Sequence, residues 1–281
     1  MVEPMSPAAL QKHLEEIGLG QYIDKLVPLL KPSIGIVTHP VDEMTIPTGA
    51  SKFGGSPDLP PSQEWPELYG YPLDFIAQID LADVTTYNIE HHLPSSGILF
   101  FFHNESRLMA NKNLWAKSKG TVLYYAGELA GLERRNAPQH QFYTACTLSF
   151  VQDATLPVYS DLIDDRIIED MPKPQQDAYI AFHKNISMVS YKSSKANRML
   201  GYPDHVQGSP LAEAKDIAAH ETHYFKALSE INREWLLLLQ IDSDENANMF
   251  FGDYGTLYFC ILEEDLQLHR FDRTIVVSQS T

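Results

Sequence analysis

The chain is short of basic residues and of cysteine. Its 281 residues hold 21 Lys and Arg against 37 Asp and Glu, a formal net charge of -16. A surface so acidic repels phosphate backbones and anionic lipid head groups, so neither nucleic acid nor a membrane surface is an expected partner. Basic proteins, cations and neutral ligands stay open. The two cysteines, Cys146 and Cys260, each lie inside an apolar, strand-like run with no second cysteine at metal-ligand spacing. That fits a reducing cytosol better than a disulfide framework. The longest apolar runs, such as WLLLL, are too short to span a bilayer. The opening MVEPMSPAALQKHLEEIG lacks the basic and apolar regions of a secretory signal. Also missing are Gly-x-Ser-x-Gly, the phosphate-cradling Gly-x-x-x-x-Gly-Lys-Ser/Thr and a dinucleotide glycine pattern. The expectation is a soluble, cytoplasmic protein without a recognisable nucleophile.

What is present is material for a core, with 44% hydrophobic residues. Ser6-Pro7 starts a helix carrying Leu10, Leu14 and Ile17, and a second short helix follows Gly20. Prolines and glycines between Pro47 and Pro72 rule out regular structure there. Phe53, Trp65, Leu68, Tyr69 and Tyr71 nevertheless require burial, which predicts an ordered loop packed on a sheet. Strands are predicted over 33–39, 73–80, 97–103, 121–127, 144–151, 235–241, 255–262 and 273–277. Helices are predicted over 176–189 and 209–235.

Three landmarks occur twice in the same order. Gly55-Ser-Pro57-Asp58 and Gly201-Tyr-Pro203-Asp204 each precede an apolar run ending in Gln-Ile-Asp, at Gln78–Asp80 and Gln240–Asp242. Gly97 and Gly255 then open Gly-x-Leu-aromatic-Phe runs. The offsets differ (203 − 57 = 146, 242 − 80 = 162, 255 − 97 = 158), so insertions separate the landmarks. The pattern predicts two pseudo-repeated β-rich halves. One structural role for Gln-Ile-Asp is that Asp turns the chain while Gln satisfies nearby backbone. The functional role is that Gln78, Asp80, Gln240 and Asp242, with Asp58, Asp204 and Trp65, line a shared cleft near a pseudo-twofold axis.

These motifs, together with Trp65-Pro66, Pro72–Asp80, Leu93-Pro94-x-x-Gly97, Leu239–Asp244, Met249 and Gly252–Phe259, resemble the DUF1963, or YwqG-like, family over about Phe53 to the end. The resemblance implies a mostly β, roll-like fold with added helices in a cytosolic bacterial protein. It implies no reaction. Relatives near toxin–immunity genes make an immunity-like binding role the natural expectation.

Asp242, Asp244, Asn246 and Asp253 match the first, third, fifth and twelfth places of a calcium loop, where hard oxygens ring the ion. Ala247 replaces the turn glycine, Asp253 replaces the bidentate Glu, and a strand precedes the loop, so a polar hairpin is the competing reading. His220-Glu-Thr-His223 falls one residue short of the zinc-protease spacing. His91-His92 lies beside a turn.

The fold expected is α+β, predominantly β. One domain spans 1–281: helical segment 1–32, first half 33–151, a mainly helical insertion 152–235 and second half 236–281. The expected function is non-catalytic binding of a protein or small ligand, with no cofactor. The alternative is a carboxylate-based hydrolase or lyase around Asp80 and Asp242, using a divalent cation.

Overall fold

The computed structural model describes residues 5–88, 90, 92–104, 118–138, 143–186, 196–220 and 234–280. In chain order the strands are β1 (Lys31–Pro40), β2 (Lys52–Phe53), β3 (Asp58–Leu59), β4 (Glu67–Leu68), β5 (Tyr71–Pro72), β6 (Asp74–Asp80), β7 (Ile98–His103), β8 (Gly120–Tyr125), β9 (Glu133–Arg134), β10 (Cys146–Thr155), β11 (Arg198–Met199), β12 (Trp235–Asp242), β13 (Thr256–Leu262) and β14 (Ile275–Gln279). The helices are α1 (Pro7–Glu16), α2 (Ile23–Leu26), α3 (Leu81–Val84), α4 (Tyr159–Asp164), α5 (Lys173–Ile186), α6 (Pro210–His220) and α7 (Glu263–Gln267). The fold is α+β and predominantly β. Among the described residues no helix is long and apolar enough to cross a membrane.

Ten strands form one antiparallel sheet in the order β14-β13-β12-β11-β1-β10-β2-β6-β7-β8. It curls until its ends meet, where the Lys119 N–H donates to Val276 O at 3.2 Å. The order is palindromic in kind. The strands of each half run in chain order, β1, β2, β6, β7, β8 and β10, β11, β12, β13, β14, and occupy matching places from either end. Yet β1 lies beside β11, and β10 beside β2. Each half lends its first strand to the other. The long β1–β10 ladder, Lys31↔Thr155 to Pro40↔Cys146, is the seam. The first strand of the second set, β10, opens at Cys146, and α4, α5 and α6 fall between it and β12.

Matching positions carry matching irregularities. The β6–β7 register shifts between Phe75 and Ala77, and the β12–β13 register between Leu237 and Leu239. The strands alternate as half-buried strands must. Ala77, Ile79 and Phe101 of one half join Leu239, Ile241 and Phe259 of the other in a single core. On the opposite face the halves are covered differently. Phe75, Phe100 and Phe102 lie under the proline-rich loop, through Leu59, Trp65 and Leu68. Leu237, Tyr258 and Val277 lie under α6, through Ala214, Ile217 and Ala218. A separate apolar cluster joins α1, α2, α4 and α5 through Leu10, Leu14, Leu26, Leu162, Tyr179 and Phe182. Ser6 caps α1 by accepting from Ala9 N at 3.2 Å. The predicted helices over 176–189 and 209–235 run partly beyond the described residues.

Candidate functional site

The two Gln-Ile-Asp segments do the same local work. Gln78 Oε1 accepts the Asp58 N–H at 2.9 Å, and Gln240 Oε1 accepts the Asp204 N–H at 2.9 Å. Gln78 Nε2 donates to Ala50 O at 2.8 Å and Asp58 Oδ2 at 2.9 Å. Gln240 Nε2 donates to Ala196 O at 2.9 Å and Asp204 Oδ2 at 3.1 Å. Beside each glutamine in the ladder stands a buried cation, Lys52 opposite Gln78 and Arg198 opposite Gln240. Lys52 Nζ lies 3.2 Å from Asp58 Oδ2, and Arg198 Nη1 lies 2.8 Å from Asp204 Oδ2. Each glutamine thus ties the Gly-x-Pro-Asp loop to the sheet, because a buried amide and carbonyl need partners.

Beyond this common frame the halves part. In the first, Asp58 is fully buried. Its Oδ2 also accepts Gly49 N at 2.9 Å, and its Oδ1 accepts Arg134 Nε at 2.8 Å. Arg134 uses its remaining donors on Glu43 O and Ile46 O, each at 2.9 Å. Glu43 Oε1 stands 3.9 Å from Lys52 Nζ and 4.0 Å from Arg134 Nε. Burial alone would raise the Asp58 carboxyl. The bonds from Arg134, Gly49 and Gln78, with the charge of Lys52, hold it below its ordinary value. Asp58 and Lys52 are sealed at its centre, Glu43 and Arg134 are partly exposed at its edge, and its two carboxylates and two cations balance.

In the second half the same aspartate is open. The Asp204 side chain is 38% exposed. Its Oδ2 takes Arg198 and Gln240, while among the described residues no hydrogen bond reaches Oδ1. Asp204 borders a cavity of about 470 Å³ walled by Tyr159, Ile180, His183, Arg198 and His205 among others. The start of α4, the last turns of α5 and the loop after β11 frame it. Burial would raise the Asp204 carboxyl, but the Arg198 charge and the Gln240 hydrogen bond hold it below its ordinary value, so it is ionised at neutral pH. His183 Nε2 lies 2.9 Å from Leu156 O. A carbonyl only accepts, so this nitrogen carries the hydrogen. Burial lowers the His183 pKa, which keeps the ring neutral and leaves a lone pair on Nδ1. Arg198 Nη1 also reaches Tyr202 O at 3.4 Å, whereas its buried Nε has no acceptor. His205 Nε2 stands 3.2 Å from Asp161 Oδ2.

The residues expected to share one cleft are therefore divided. Gln78 with Asp58, and Gln240 with Asp204, form separate clusters, because the glutamines alternate with the core residues and project from the opposite face. Asp80 Oδ1 caps α3 through Ala82 N at 3.0 Å. Asp242 accepts Ala196 N at 2.8 Å and Thr256 Oγ1 at 2.9 Å. Burial raises both carboxyls, yet four strands separate β6 from β12 in the sheet. Trp65 donates to Leu73 O at 2.8 Å and meets Phe102 edge to face, as a lid on the sheet. In the calcium-like loop, Asp244 Oδ2 accepts Thr38 Oγ1 at 2.8 Å and its Oδ1 accepts Asn246 N at 2.9 Å. Asn246 donates to Thr38 Oγ1 at 3.1 Å, and Asp253 is exposed. The loop clamps the β12–β13 hairpin to β1 rather than arranging its oxygens around a common centre. Among the described residues no group of three His, Cys, Asp or Glu is placed to hold a metal. His220 Nδ1 lies 2.7 Å from Asp216 O in its own helix. His91 and His223 lie outside the described residues.

Sequence reasoning missed Lys52, Arg134, Arg198, His183 and His205. A signal existed for two of them. Lys52 and Arg198 stand at the same offset as Asp58 and Asp204 (198 − 52 = 204 − 58 = 146). Nothing comparable marks the others, which reach the site from elements distant in sequence.

No curated protein matches the chain. A family model described as a domain of unknown function, DUF1963, matches residues 51–279, which takes in every residue of both clusters except Glu43, Ile46, Gly49 and Ala50. The chain belongs to the DUF1963 family.

Proposed function

We propose that this is a non-catalytic binding protein whose ligand enters the cavity beside Asp204. The observation that carries the reading is the contrast between the two aspartates. Asp58 is fully buried and both its oxygens accept hydrogen bonds, whereas the Asp204 side chain is 38% exposed and among the described residues only its Oδ2 accepts one. A cavity of about 470 Å³ falls within the range of small-ligand sites, and its mix of apolar walls and few polar groups is typical of them. The acidic surface disfavours nucleic acid and anionic membranes. Two buried free thiols support a cytoplasmic setting.

The test is thermal unfolding against a panel of small cationic, neutral and anionic compounds, on the parent and on Ile180→Trp. Ile180 lies on α5 at the cavity wall and is partly exposed, so the larger ring fills the cavity without disturbing the core. A ligand of the native state raises Tm by mass action. The reading expects at least one compound that raises Tm in the parent and fails in Ile180→Trp. A panel in which no compound does so would sink it.

A further inference from the structure

We infer that the cavity takes a guanidinium group, which sits on Asp204 as Arg134 sits on Asp58. The inference rests on the binding-protein reading above and gives that site its ligand chemistry.

The first half supplies the template. Around its aspartate, a backbone-held glutamine and a ladder cation leave one carboxylate oxygen over, and Arg134 Nε fills it at 2.8 Å. The second half repeats the glutamine, the ladder cation and the aspartate with nearly the same distances, 2.9 and 3.1 Å from the glutamine and 2.8 Å from the cation. Among the described residues nothing repeats Arg134. Asp204 and His183 both line the cavity, and Asp204 Oδ1 and the His183 Nδ1 lone pair are acceptors there. Arg198 spends its Nη1 on Asp204 Oδ2 and Tyr202 O.

In the first half Lys52 and Arg134 meet Asp58 and Glu43. In the second, Arg198 meets Asp204 through one carboxylate oxygen only, and that free oxygen, rather than the net charge of the wall, calls for the second cation. Guanidinium suits the place better than ammonium, because its planar fork serves a carboxylate oxygen and a second acceptor together. It is also more weakly hydrated and stacks on rings such as Tyr159.

The guanidinium has two sources, a free arginine-like molecule or an arginine side chain of a basic peptide. Calorimetric titration of Nα-acetyl-arginine amide, its lysine analogue and its citrulline analogue tests the group itself. Citrulline keeps the shape and loses the charge. The expected result is arginine at least tenfold tighter than citrulline and several-fold tighter than lysine, with binding lost in Ile180→Trp and reduced at least tenfold in Asp204→Asn. Arg198→Lys, which copies the first half, should still bind. A tri-arginine peptide binding much tighter than the amide assigns the source to a basic partner, and equal binding assigns it to a small molecule. Both support the group. Citrulline binding as tightly as arginine, or Nα-acetyl-aspartate amide binding tighter than either, with sensitivity to Ile180→Trp, would keep the pocket and overturn the guanidinium. No binding by any of the arginine compounds overturns it too, while the broader panel decides the pocket separately.

Discussion

Phe101 and Phe259 meet edge to face, with ring centroids 5.0 Å apart. They hold the same place in the two halves. Each lies opposite the residue that follows the register shift, Ala77 for Phe101 and Leu239 for Phe259. The contact joins the two halves inside the core, and the exchanged strands β1 and β10 join them along the sheet. An edge-to-face pair adds about 0.5–1.5 kcal/mol beyond area burial. Removing either ring also leaves a cavity. Phe101→Ala and Phe259→Ala should each lose about 3–5 kcal/mol in urea unfolding. The double variant should lose less than the sum, because the rings share one contact. Strict additivity would mean the halves do not couple there.

Gln78 and Gln240 test the repeated frame. Replacing Gln78 by Leu leaves the Asp58 amide, the Ala50 carbonyl and one carboxylate oxygen without this partner, in a sealed place. A buried group left unsatisfied costs about 1–3 kcal/mol. Gln240→Leu removes the matching bonds in the half where water reaches Asp204. Both should destabilise, and Gln78→Leu should cost more. Equal losses would remove the distinction between a sealed and an open cluster.

The same distinction applies to charge. Arg134→Met leaves Asp58 Oδ1 without its partner in a buried place, with Lys52 still on Oδ2, and removing one partner of a buried pair costs up to about 3–5 kcal/mol. A guanidine compound added to this variant at millimolar concentration should restore part of the lost stability. Absence of any recovery, with the variant folded, would show that Arg134 is not replaceable as a ligand.

Legibility of this fold followed sequence distance. Residues within one motif were readable. The Gly-x-Pro-Asp and Gln-Ile-Asp segments predicted two β-rich halves, and proline with large aromatics between Pro47 and Pro72 predicted the packed loop, although the short strands β2 to β5 form where regular structure was ruled out and Tyr69 is exposed rather than buried. The exchange of β1 and β10 was not readable, because strand alternation says which face a residue takes but not which strand lies beside it. The site was half legible for the same reason. Asp204 and Gln240 belong to the repeated motif. His183 comes from α5, and its role depends on a carbonyl at Leu156. Spacing alone left the hairpin and calcium-loop readings of Asp242–Asp253 both open, because the partners of its oxygens, Thr38, Asn197 and Thr256, are invisible to a local pattern.

Stability should fall toward acid in two stages. His183 has its pKa lowered by burial. Its neutral form is favoured in the folded state, so its contribution is present above the unfolded value of about 6.5 and is lost as pH falls through the folded one. Asp58 and Asp204 are also lowered, against the pull of burial, by their hydrogen bonds and cations. Their contribution is present above the unfolded value of about 3.9 and is lost below it, through the folded values. Asp80 and Asp242 are raised and act in the opposite sense. Their contribution is present below about 3.9 and is lost as pH rises through their folded values, which softens the onset of acid unfolding. Urea midpoints from pH 3 to 8 should show a first decline that His183→Gln removes and a steeper one that Asp58→Asn flattens. A single decline unaffected by His183→Gln would place the first stage elsewhere.

The two thiols should be silent in the native protein. Burial pushes Cys146 up to about 12, with the nearby Asp244 charge adding to it. Burial also raises Cys260, which lies under α6 with its Sγ 3.9 Å from Pro210 O. The thiolate is the reactive species, so both its low population and its inaccessibility slow any reagent. Native protein should give no thiol colour with a disulfide reagent at pH 8 over minutes, and two equivalents in denaturant. If labelling follows opening of the fold, its slow native rate should rise in Phe259→Ala in step with the lost stability. Rapid labelling of one thiol in the native parent would mean that strand β10 or β13 opens locally, and that the seam between the halves is weaker than its ladder of paired residues implies.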